Sequence, residues 1–319
     1  MPELTVYVSD YTLAETMDVE QEILTQIDAK LDLAQCRTED EVAATIGDPD
    51  AIITQWAPLT RGILEKLTKC KCICRNGVGV DNIDLEACKD LGIAVLNVPA
   101  YCVQDVADHA ATLALACARR LQPTIDAVRG GTWGEEPILD ARRLDQLTFG
   151  VLGLGRIGRA SAARAKPFFK QVIGFDAFMD AKEVENVDEV KGSLEDLLAE
   201  ADVITLHVPG TEETTKMMNA ERFAQMKQGA ILVNTCRGVV VDTDALVDAL
   251  ASGHLGGAGL DVHDPEPLPE DHPLRSFPNV IITPHVAYYS IEAVLQARRE
   301  TAENITLFFQ GKEPISRLI

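Results

Sequence analysis

The stretch "TFGVLGLGRIGRASAARAK" (residues 148–166) decides the fold of the second half of the chain. An apolar strand, 148–152, runs into three glycines, Gly153, Gly155 and Gly158, and a helical pattern follows them. The first glycine permits a tight turn, the second lets the backbone approach a pyrophosphate, and the third lets the helix pack on the strand. The spacing therefore predicts a dinucleotide-binding turn between a strand and a helix.

Two further features of this region support that prediction. The free N–H groups of the first helical turn, which includes Arg156 and Ile157, favour an anion such as a pyrophosphate. The next strand, "QVIGFD", ends in Asp176, close to the distance of about 20 residues at which such sites carry a ribose-binding acid. A carboxylate there accepts a hydrogen bond from a 2′-hydroxyl and repels a 2′-phosphate. Strand, helix and acid together favour NAD over NADP, and a cofactor site over a structural glycine turn.

The rest of the chain alternates strands with helices. The apolar runs that predict strands in the first third are "TVYVS" (5–9), "AIITQ" (51–55), "CICR" (72–75) and "IAVLNV" (93–98). Acidic-faced helical segments such as 17–29 and 60–67 separate them. This alternation predicts βα units and a mostly parallel sheet. The alanine-rich segment 103–121 predicts a long helix buried at a domain or subunit interface, and 290–311 predicts a last helix.

Composition limits the classes of function. The net charge of −21, from 29 basic and 50 acidic residues, argues against nucleic acid as a partner. No apolar run reaches the roughly 18 residues that span a bilayer, and the N-terminus lacks a signal-peptide pattern, so we expect a cytoplasmic protein with no membrane partner. Cys70, Cys72 and Cys74 follow the period of a strand, and we expect one buried strand face there rather than a metal site.

Polar side chains follow the later predicted strands. Strand "AILVN" (230–234) precedes Thr235, Cys236 and Arg237, "GGAGLD" (256–261) ends in Asp261, and "VIITP" (280–284) precedes His285. In an open parallel sheet, ligands bind outside the carboxyl ends of the strands. We therefore expect these side chains on the rim that a bound nicotinamide would reach. His207, at the end of "VITLH", is expected on the adenosine side, although a structural role is about as well supported.

The acidic loop "LDVHDPEPLPEDHP" (260–273) holds Glu266 between Pro265 and Pro267. Proline fixes φ and removes backbone donors, so this segment is a stiff loop rather than a central strand or a helix interior. Most such loops are solvated turns. This one follows a strand end that would face the cofactor, which makes Glu266 a candidate functional carboxylate.

Several motifs resemble one known family. They are "GVGVDNID" (77–84), "GVLGLGRIG" (150–158), "NTCRG" (234–238), "LDVHDPEP" (260–267) and "TPHVA" (283–287). They are similar to motifs of the D-isomer-specific 2-hydroxyacid dehydrogenases and occur in the same order. Within that family the chain looks closest to the C-terminal-binding-protein-like branch, which contains NADH-responsive corepressors and their bacterial relatives.

The resemblance implies an α/β fold with two Rossmann-like or flavodoxin-like domains, each a doubly wound parallel sheet, and a cleft between them. Residues 1–99 plus 289–319 would form a substrate-binding lid, and residues 100–288 an NAD-binding Rossmann domain. The helix near 103–121 would then be the hinge and the dimer element, in a homodimer formed through the cofactor domain.

The resemblance also implies a catalytic set. His285 would be the acid and base, because imidazole titrates near neutral pH. Glu266 would orient the ring and favour its protonated form. Arg237 would bind the substrate carboxylate and polarise the adjacent carbonyl. Asp261 would accept a hydrogen bond from the nicotinamide carboxamide.

Further residues would line the same site. Thr235 and Cys236 would lie beside the nicotinamide, backbone N–H groups around Val78 and Gly79 would bind the substrate carboxylate, and Tyr288 would line the pocket. Of the other histidines, His109 lies within an apolar helix, and we expect it to be a buried, satisfied residue rather than a catalyst. His263, the nearest rival to His285, is assigned no function.

Two classes of function follow. The first is an NAD-dependent D-2-hydroxyacid dehydrogenase acting on a small 2-keto acid such as glyoxylate, hydroxypyruvate or pyruvate, since no cluster of Arg and Lys in the lid demands a phosphorylated substrate. The second is an NADH-sensing interaction module that keeps the dehydrogenase scaffold, as the corepressor branch does. The intact set of Arg237, Glu266 and His285 fits either, and the acidic composition favours the enzyme.

Overall fold

The computed structural model describes residues 3–11, 16–179 and 184–319. Within these residues the strands are β1 (Leu4–Val8), β2 (Ala29–Leu33), β3 (Ala51–Thr54), β4 (Cys72–Arg75), β5 (Ala94–Leu96), β6 (Thr148–Leu152), β7 (Gln171–Phe175), β8 (Glu189–Val190), β9 (Val203–Leu206), β10 (Ala230–Asn234), β11 (Leu255–Leu260) and β12 (Val280–Ile282). The helices are α1 (Asp18–Leu24), α2 (Glu39–Thr45), α3 (Arg61–Leu64), α4 (Leu85–Leu91), α5 (Val103–Ala118), α6 (Leu121–Arg129), α7 (Arg156–Ala165), α8 (Leu194–Glu200), α9 (Ala220–Gln225), α10 (Thr243–Ala251) and α11 (Ile291–Phe309).

The chain forms two compact units. The first unit comprises Met1–Cys102 and Ser290–Ile319, and the second comprises Val103–Tyr289. The sheet of the first unit has five parallel strands in the order β2-β1-β3-β4-β5. This is the order of flavodoxin-like folds, in which the connections change direction between β1 and β3.

The sheet of the second unit has seven parallel strands in the order β12-β11-β10-β9-β6-β7-β8. Renumbered from β6, the first six strands follow the Rossmann order 3-2-1-4-5-6, and β12 extends that edge. The strand order reverses between β6 and β9, and the glycine-rich turn follows β6. The prediction of two doubly wound parallel sheets is confirmed.

Each sheet buries apolar side chains on both faces, as parallel sheets covered by helices do. In the first unit, Cys72 and Cys74 point to one face of β4, where they pack near Ala302 of α11. Ile73 points to the opposite face and packs with Cys70. The prediction that three cysteines share one face is therefore wrong for Cys70, which precedes β4 and does not follow its alternation. All three thiols are buried, as predicted.

Two predicted elements differ in the structure. The segment 17–29 is not one helix, because α1 ends at Leu24 and β2 begins at Ala29. β2 is an edge strand with mostly exposed side chains, so its sequence "AKLDL" lacks the apolar run of a central strand. The helix predicted over 103–121 ends at Ala118. Arg120 then adopts φ +52, a left-handed conformation that separates the two helices, and none of the residues of α6 is buried.

No helix in the described ranges is both long and apolar enough to cross a membrane.

Candidate cofactor and catalytic site

The glycine-rich turn between β6 and α7 has the geometry that its sequence predicts. Gly153 has φ +93, and a Cβ there would lie 2.5 Å from the backbone oxygen of His207. A Cβ on Gly158 would lie 1.9 Å from the oxygen of Gly153, so only glycine lets α7 approach this turn. A Cβ on Gly155 would meet no atom of the described residues within 4 Å. Gly155 caps α7, so open space lies beside the helix N-terminus, where a pyrophosphate would bind the first-turn N–H groups of Arg156 and Ile157.

The carboxylate of Asp176 is fixed beside this turn. Its Oδ2 accepts a hydrogen bond from the backbone N–H of Leu154 at 2.8 Å, and its Oδ1 accepts one from Phe178 N–H at 2.9 Å. Because Leu154 lies between Gly153 and Gly155, the acid and the pyrophosphate cradle are held together by a direct contact. A carboxylate oxygen has capacity for a further hydrogen bond, as a ribose 2′-hydroxyl would require.

His207 contributes to this region chiefly through its backbone. Its carbonyl is the group that excludes a side chain from Gly153. Its Nε2 pairs with Thr205 Oγ1 at 3.0 Å, and burial lowers the pKa of the ring to about 3, so the imidazole is neutral near pH 7. A contact between this imidazole and the cofactor stays a prediction.

The turn after β10 is held by Asn234, whose side chain is buried. Asn234 Oδ1 accepts hydrogen bonds from the backbone N–H of Cys236 at 3.0 Å and from its thiol at 3.1 Å, and Asn234 Nδ2 donates to Arg237 O at 2.9 Å. Burial raises the pKa of Cys236 to about 11, so the thiol is not ionised. Thr235 Oγ1 is buried without a hydrogen-bond partner among the described residues. A polar group in that state suits a ligand that hydrogen-bonds to it.

Arg237 is half-buried at the end of this turn. Its Nη1 donates to the oxygen of Cys236 at 2.7 Å. Its aliphatic stem lies against Gly210, where a Cβ would come within 3.0 Å of Arg237 Cγ. The next residue, Gly238, packs directly on the acidic loop, since a Cβ there would lie 1.9 Å from His263 O. This close packing fixes the position of the Arg237 turn relative to the loop that carries Glu266.

Glu266 and His285 form a direct pair. His285 Nδ1 donates to Glu266 Oε1 at 2.6 Å, and the side chains are 22% and 37% exposed, respectively. Burial raises the pKa of Glu266, but the hydrogen bond and the charge of His285, together with contributions from His263, lower it, and the net result is a pKa below its ordinary value. The ring of Tyr288 meets that of His285 edge-on, with the centroids 6.3 Å apart. Glu266 is thus part of a carboxylate–imidazole pair and not a solvated turn residue.

Asp261 lies beneath this pair and is fully buried. Its Oδ1 accepts hydrogen bonds from Thr283 Oγ1 at 2.6 Å and from Val286 N–H at 2.9 Å, and its Oδ2 accepts one from Ala287 N–H at 2.9 Å. The carboxylate is therefore engaged by the loop that carries His285. A direct contact with a nicotinamide carboxamide stays a prediction.

Sequence reasoning missed the surroundings of His109. The residue is half-buried on α5, and its Nε2 pairs with Thr283 Oγ1 at 3.0 Å and lies 3.7 Å from Asp261 Oδ1. Thr283 is 174 residues away along the chain, so no local spacing could have shown the contact. The polar Thr283 directly after β12 was the one available signal.

The second unit thus brings together nearly all the predicted site residues, at the carboxyl ends of β6, β7, β9, β10, β11 and β12. Val78 and Gly79 belong to the first unit, where they follow β4 and are half-buried, and Asn97 Nδ2 donates to Val78 O at 2.7 Å. Their predicted contact with substrate stays a prediction. Among the residues that the structure describes, no group of three His, Cys, Asp or Glu side chains could hold a metal ion.

Comparisons with known proteins agree with this geometry. Residues 111–287 match the profile of the D-isomer specific 2-hydroxyacid dehydrogenase, NAD binding domain. The chain is 38% identical over 275 residues to a glyoxylate reductase of Korarchaeum cryptofilum, and the alignment covers 84% of this chain and 82% of the relative. It is 37% identical over 285 residues to a D-3-phosphoglycerate dehydrogenase of Methanocaldococcus jannaschii, and this alignment covers 89% of this chain but only 54% of the relative. The chain therefore spans about half the length of that relative.

A solved structure shows the same similarity. The D-lactate dehydrogenase of Aquifex aeolicus, crystallised with NAD and lactic acid, matches with a TM-score of 0.85 at 34% identity, over 96% of each chain.

Proposed function

Because the chain belongs to the D-isomer specific 2-hydroxyacid dehydrogenase family, we propose that it interconverts a small 2-keto acid and the corresponding D-2-hydroxy acid with NAD(H). The family's NAD-binding domain lies in the second unit. The observation that carries the proposal is the 2.6 Å contact between His285 and Glu266, at the sheet edge that also holds Arg237 and the glycine-rich turn. We further propose that residues 1–99 with 289–319 form the substrate-binding domain and residues 100–288 the cofactor domain.

His285 carries the proton transfer in this proposal. When bound, NADH supplies the hydride that reduces the keto carbon. Nδ1 of His285 donates to Glu266, so proton exchange with the substrate oxygen falls to Nε2, which delivers a proton during reduction and takes it back during oxidation. Glu266 fixes the ring orientation and stabilises the imidazolium by its charge.

Arg237 supplies the substrate's counter-charge. Its guanidinium offers donors in a planar fork that matches a carboxylate, and its backbone is held by Asn234 at one side and by the packing of Gly238 at the other. A keto acid whose carboxylate pairs with this fork would present its carbonyl oxygen toward His285. Donors fixed before substrate arrives need little reorganisation at the moment of reaction.

The first unit favours a substrate with a small, uncharged tail. The loop after β3, residues 55–60, lies at the same sheet edge as the predicted substrate loop after β4, because β3 and β4 are parallel neighbours. It contains no lysine or arginine, and Arg61, next along the chain, pairs with Asp90 at 2.9 Å. The guanidinium carbon of Arg75 lies 5.5 Å from the centre of the Trp56 ring. A phosphorylated substrate calls for several convergent cations. We therefore propose glyoxylate, pyruvate or hydroxypyruvate as the substrate class, in preference to a phosphorylated hydroxy acid.

A panel of keto acids tests the function. NADH oxidation is followed with glyoxylate, pyruvate, hydroxypyruvate and 3-phosphohydroxypyruvate, and the reverse reaction is run with each enantiomer of lactate. We expect turnover of at least one unphosphorylated keto acid and oxidation of the D-enantiomer alone. Tight NADH binding with no turnover of any keto acid would support the NADH-sensing interaction module instead. Preference for the phosphorylated acid would overturn the assignment of substrate class.

We also propose that the protein is a homodimer through its second unit. Helix α6 buries no residue, and the segment after it exposes large apolar side chains, with Trp133 91% and Leu139 79% exposed. Exposed apolar patches of this kind mark protein interfaces. Light scattering after gel filtration should give twice the chain mass, and Trp133→Ser should weaken the dimer. A monomer at all concentrations would refute the proposal. A cytoplasmic location stays a prediction.

A further inference from the structure

Residues 285–287, in the loop after β12, all donate backbone hydrogen bonds to Asp261. The backbone N–H of His285 donates to Asp261 O at 2.7 Å, and those of Val286 and Ala287 donate to the two oxygens of the Asp261 carboxylate. His285 has φ +55, in the left-handed region that residues with a Cβ adopt at a cost. The surroundings must therefore hold His285 in place, and Asp261 contributes three backbone hydrogen bonds to that support.

The Asp261 carboxyl group is fully buried and pairs with no lysine or arginine among the described residues. Within the part of the chain that the structure describes, the only basic group within 4 Å of it is His109 Nε2, at 3.7 Å. A buried carboxylate needs donors for its lone pairs. Two of its three donors are backbone groups of the His285 loop, and the third is the Thr283 hydroxyl.

The direction of the Thr283 hydroxyl depends on His109. A hydroxyl has one proton, and Thr283 uses it toward Asp261 Oδ1 at 2.6 Å. Thr283 Oγ1 must therefore accept from His109 Nε2 at 3.0 Å, which requires a proton on that nitrogen. Without this donor, Thr283 Oγ1 loses one of its two hydrogen bonds, and the contact with Asp261 Oδ1 alone orients the hydroxyl.

We propose that His109 is a positioning residue for His285. Its Nε2–H holds the Thr283 hydroxyl toward Asp261, and the Asp261 carboxylate in turn holds residues 286 and 287, so that the ring of His285 stays on Glu266. The proposal rests on the proposed function only in treating His285 as the acid of the reaction. The chain of contacts runs from α5 through the ends of β12 and β11, all within the second unit.

Four variants test this chain of contacts. Thr283→Val removes the hydroxyl at constant shape, and Thr283→Ser keeps it. His109→Leu removes the donor, whereas the amide of His109→Gln can still donate to Thr283. Thr112→Val is the matched control, because this exposed α5 hydroxyl has Asp108 O, at 2.8 Å, as its one hydrogen-bond partner among the described residues.

The kinetic expectation is a loss in kcat. We expect Thr283→Val and His109→Leu each to lower kcat for glyoxylate reduction by about tenfold or more, because small misplacement of a reacting group is costly, with a much smaller change in KM. Combining them should cost little beyond either alone, since both break the same contact. We expect kcat and KM close to those of the unmutated protein in Thr283→Ser, His109→Gln and Thr112→Val.

A spectroscopic readout needs neither cofactor nor turnover. The short Nδ1–H···Glu266 bond should give a far-downfield proton signal in the NMR spectrum of cofactor-free protein with ¹⁵N-labelled histidine. We expect this signal to weaken or broaden in Thr283→Val and His109→Leu and to persist in Thr112→Val. If the unmutated protein turns over no keto acid but the signal responds in this way, the positioning role stands and the proposed function fails.

Three results would overturn the proposal. One is an unchanged signal and kcat in both disruptive variants. Another is an equal loss in Thr283→Ser and Thr283→Val, because the hydroxyl would then not be the cause. The third is a kcat that falls only in step with the melting temperature across the series, which would make His109 a packing residue of α5.

Discussion

The substitution Glu266→Gln removes the negative charge beside His285 and keeps a side chain of the same size. A glutamine oxygen can still accept the Nδ1 proton, so the ring can keep its orientation. What is lost is the electrostatic stabilisation of the imidazolium. We expect the variant to keep its fold and its NADH affinity, and to change the pH range over which it reduces keto acids.

The structure sets the size of this effect. The contact between Nδ1 and Oε1 is 2.6 Å, and it lowers the pKa of Glu266 even though burial raises it. The charged partner in this contact is the Glu266 carboxylate, and the substitution removes that charge. Hydrogen bonds to charged groups contribute roughly 1.5–3 kcal/mol. Because the Glu266 side chain is 37% exposed, solvent screens the pair, and we take the lower end, about 1.5 kcal/mol. About 1.4 kcal/mol corresponds to one decade, so removing the charge should lower kcat/KM for reduction about tenfold at alkaline pH.

The assay is the pH profile of kcat/KM for reduction of the best keto acid by NADH. His285 must carry a proton for reduction, so removing the negative charge that faces it should move the alkaline limit of this profile to lower pH. Oxidation of the hydroxy acid needs the neutral ring and should extend to lower pH. Glu270→Gln, which removes an exposed acid from the same loop, is the control and should leave both profiles unchanged. Identical profiles for Glu266→Gln and the unmutated protein would refute the reasoning.

Three further outcomes are expected. Arg237→Ala should lower kcat/KM for the keto acid at least about tenfold, because the charged contact is lost, and NADH affinity should be retained. Arg237→Lys should restore only part of this activity. A melting temperature that falls with activity would make this residue structural. Asp176→Ala should narrow the preference for NADH over NADPH by weakening NADH, and equal use of both cofactors by the unmutated protein would contradict this. Gly158→Ala should lower the melting temperature, because its Cβ would lie 1.9 Å from Gly153 O, whereas Gly192→Ala, whose Cβ meets no atom within 4 Å, should leave it nearly unchanged.

The sequence was sufficient for the parts of the site that lie at strand ends. The glycines, Asp176 and the residues after β10 to β12 follow apolar runs, and parallel strands bring their carboxyl ends to one edge whatever lies between them in sequence. The family prediction, which used the same motifs, is confirmed by the matched profile over residues 111–287. Pairing of Glu266 with His285 was expected from the resemblance and is present in the structure.

The sequence was insufficient where a contact depends on how a helix lies on the sheet. His109 is one polar residue in an alanine-rich helix, and its rotation and depth on the sheet, which place it next to Thr283, arise from packing of the whole of α5. The exposed edge strand β2 was missed for a related reason, because backbone pairing with β1 holds it without an apolar run. The hydrogen bonds from Asp261 to the loop that carries His285 were not foreseen either, and its predicted contact with the nicotinamide stays a prediction.

The buried thiols can report local or global unfolding of this protein, because they react only when unfolding exposes them. Burial raises the pKa of Cys70 and Cys74 to about 12 and that of Cys88 to about 11 in the first unit, and that of Cys117 to about 12 in the second. An alkylating reagent reacts with the accessible thiolate, so in the native protein each of these groups must wait for a local or global opening event. Where reclosing is faster than alkylation, the labelling rate measures the population of the open form. Mass spectrometry of labelled peptides would then give the opening free energy of each unit separately, in the natural chain and without an introduced probe.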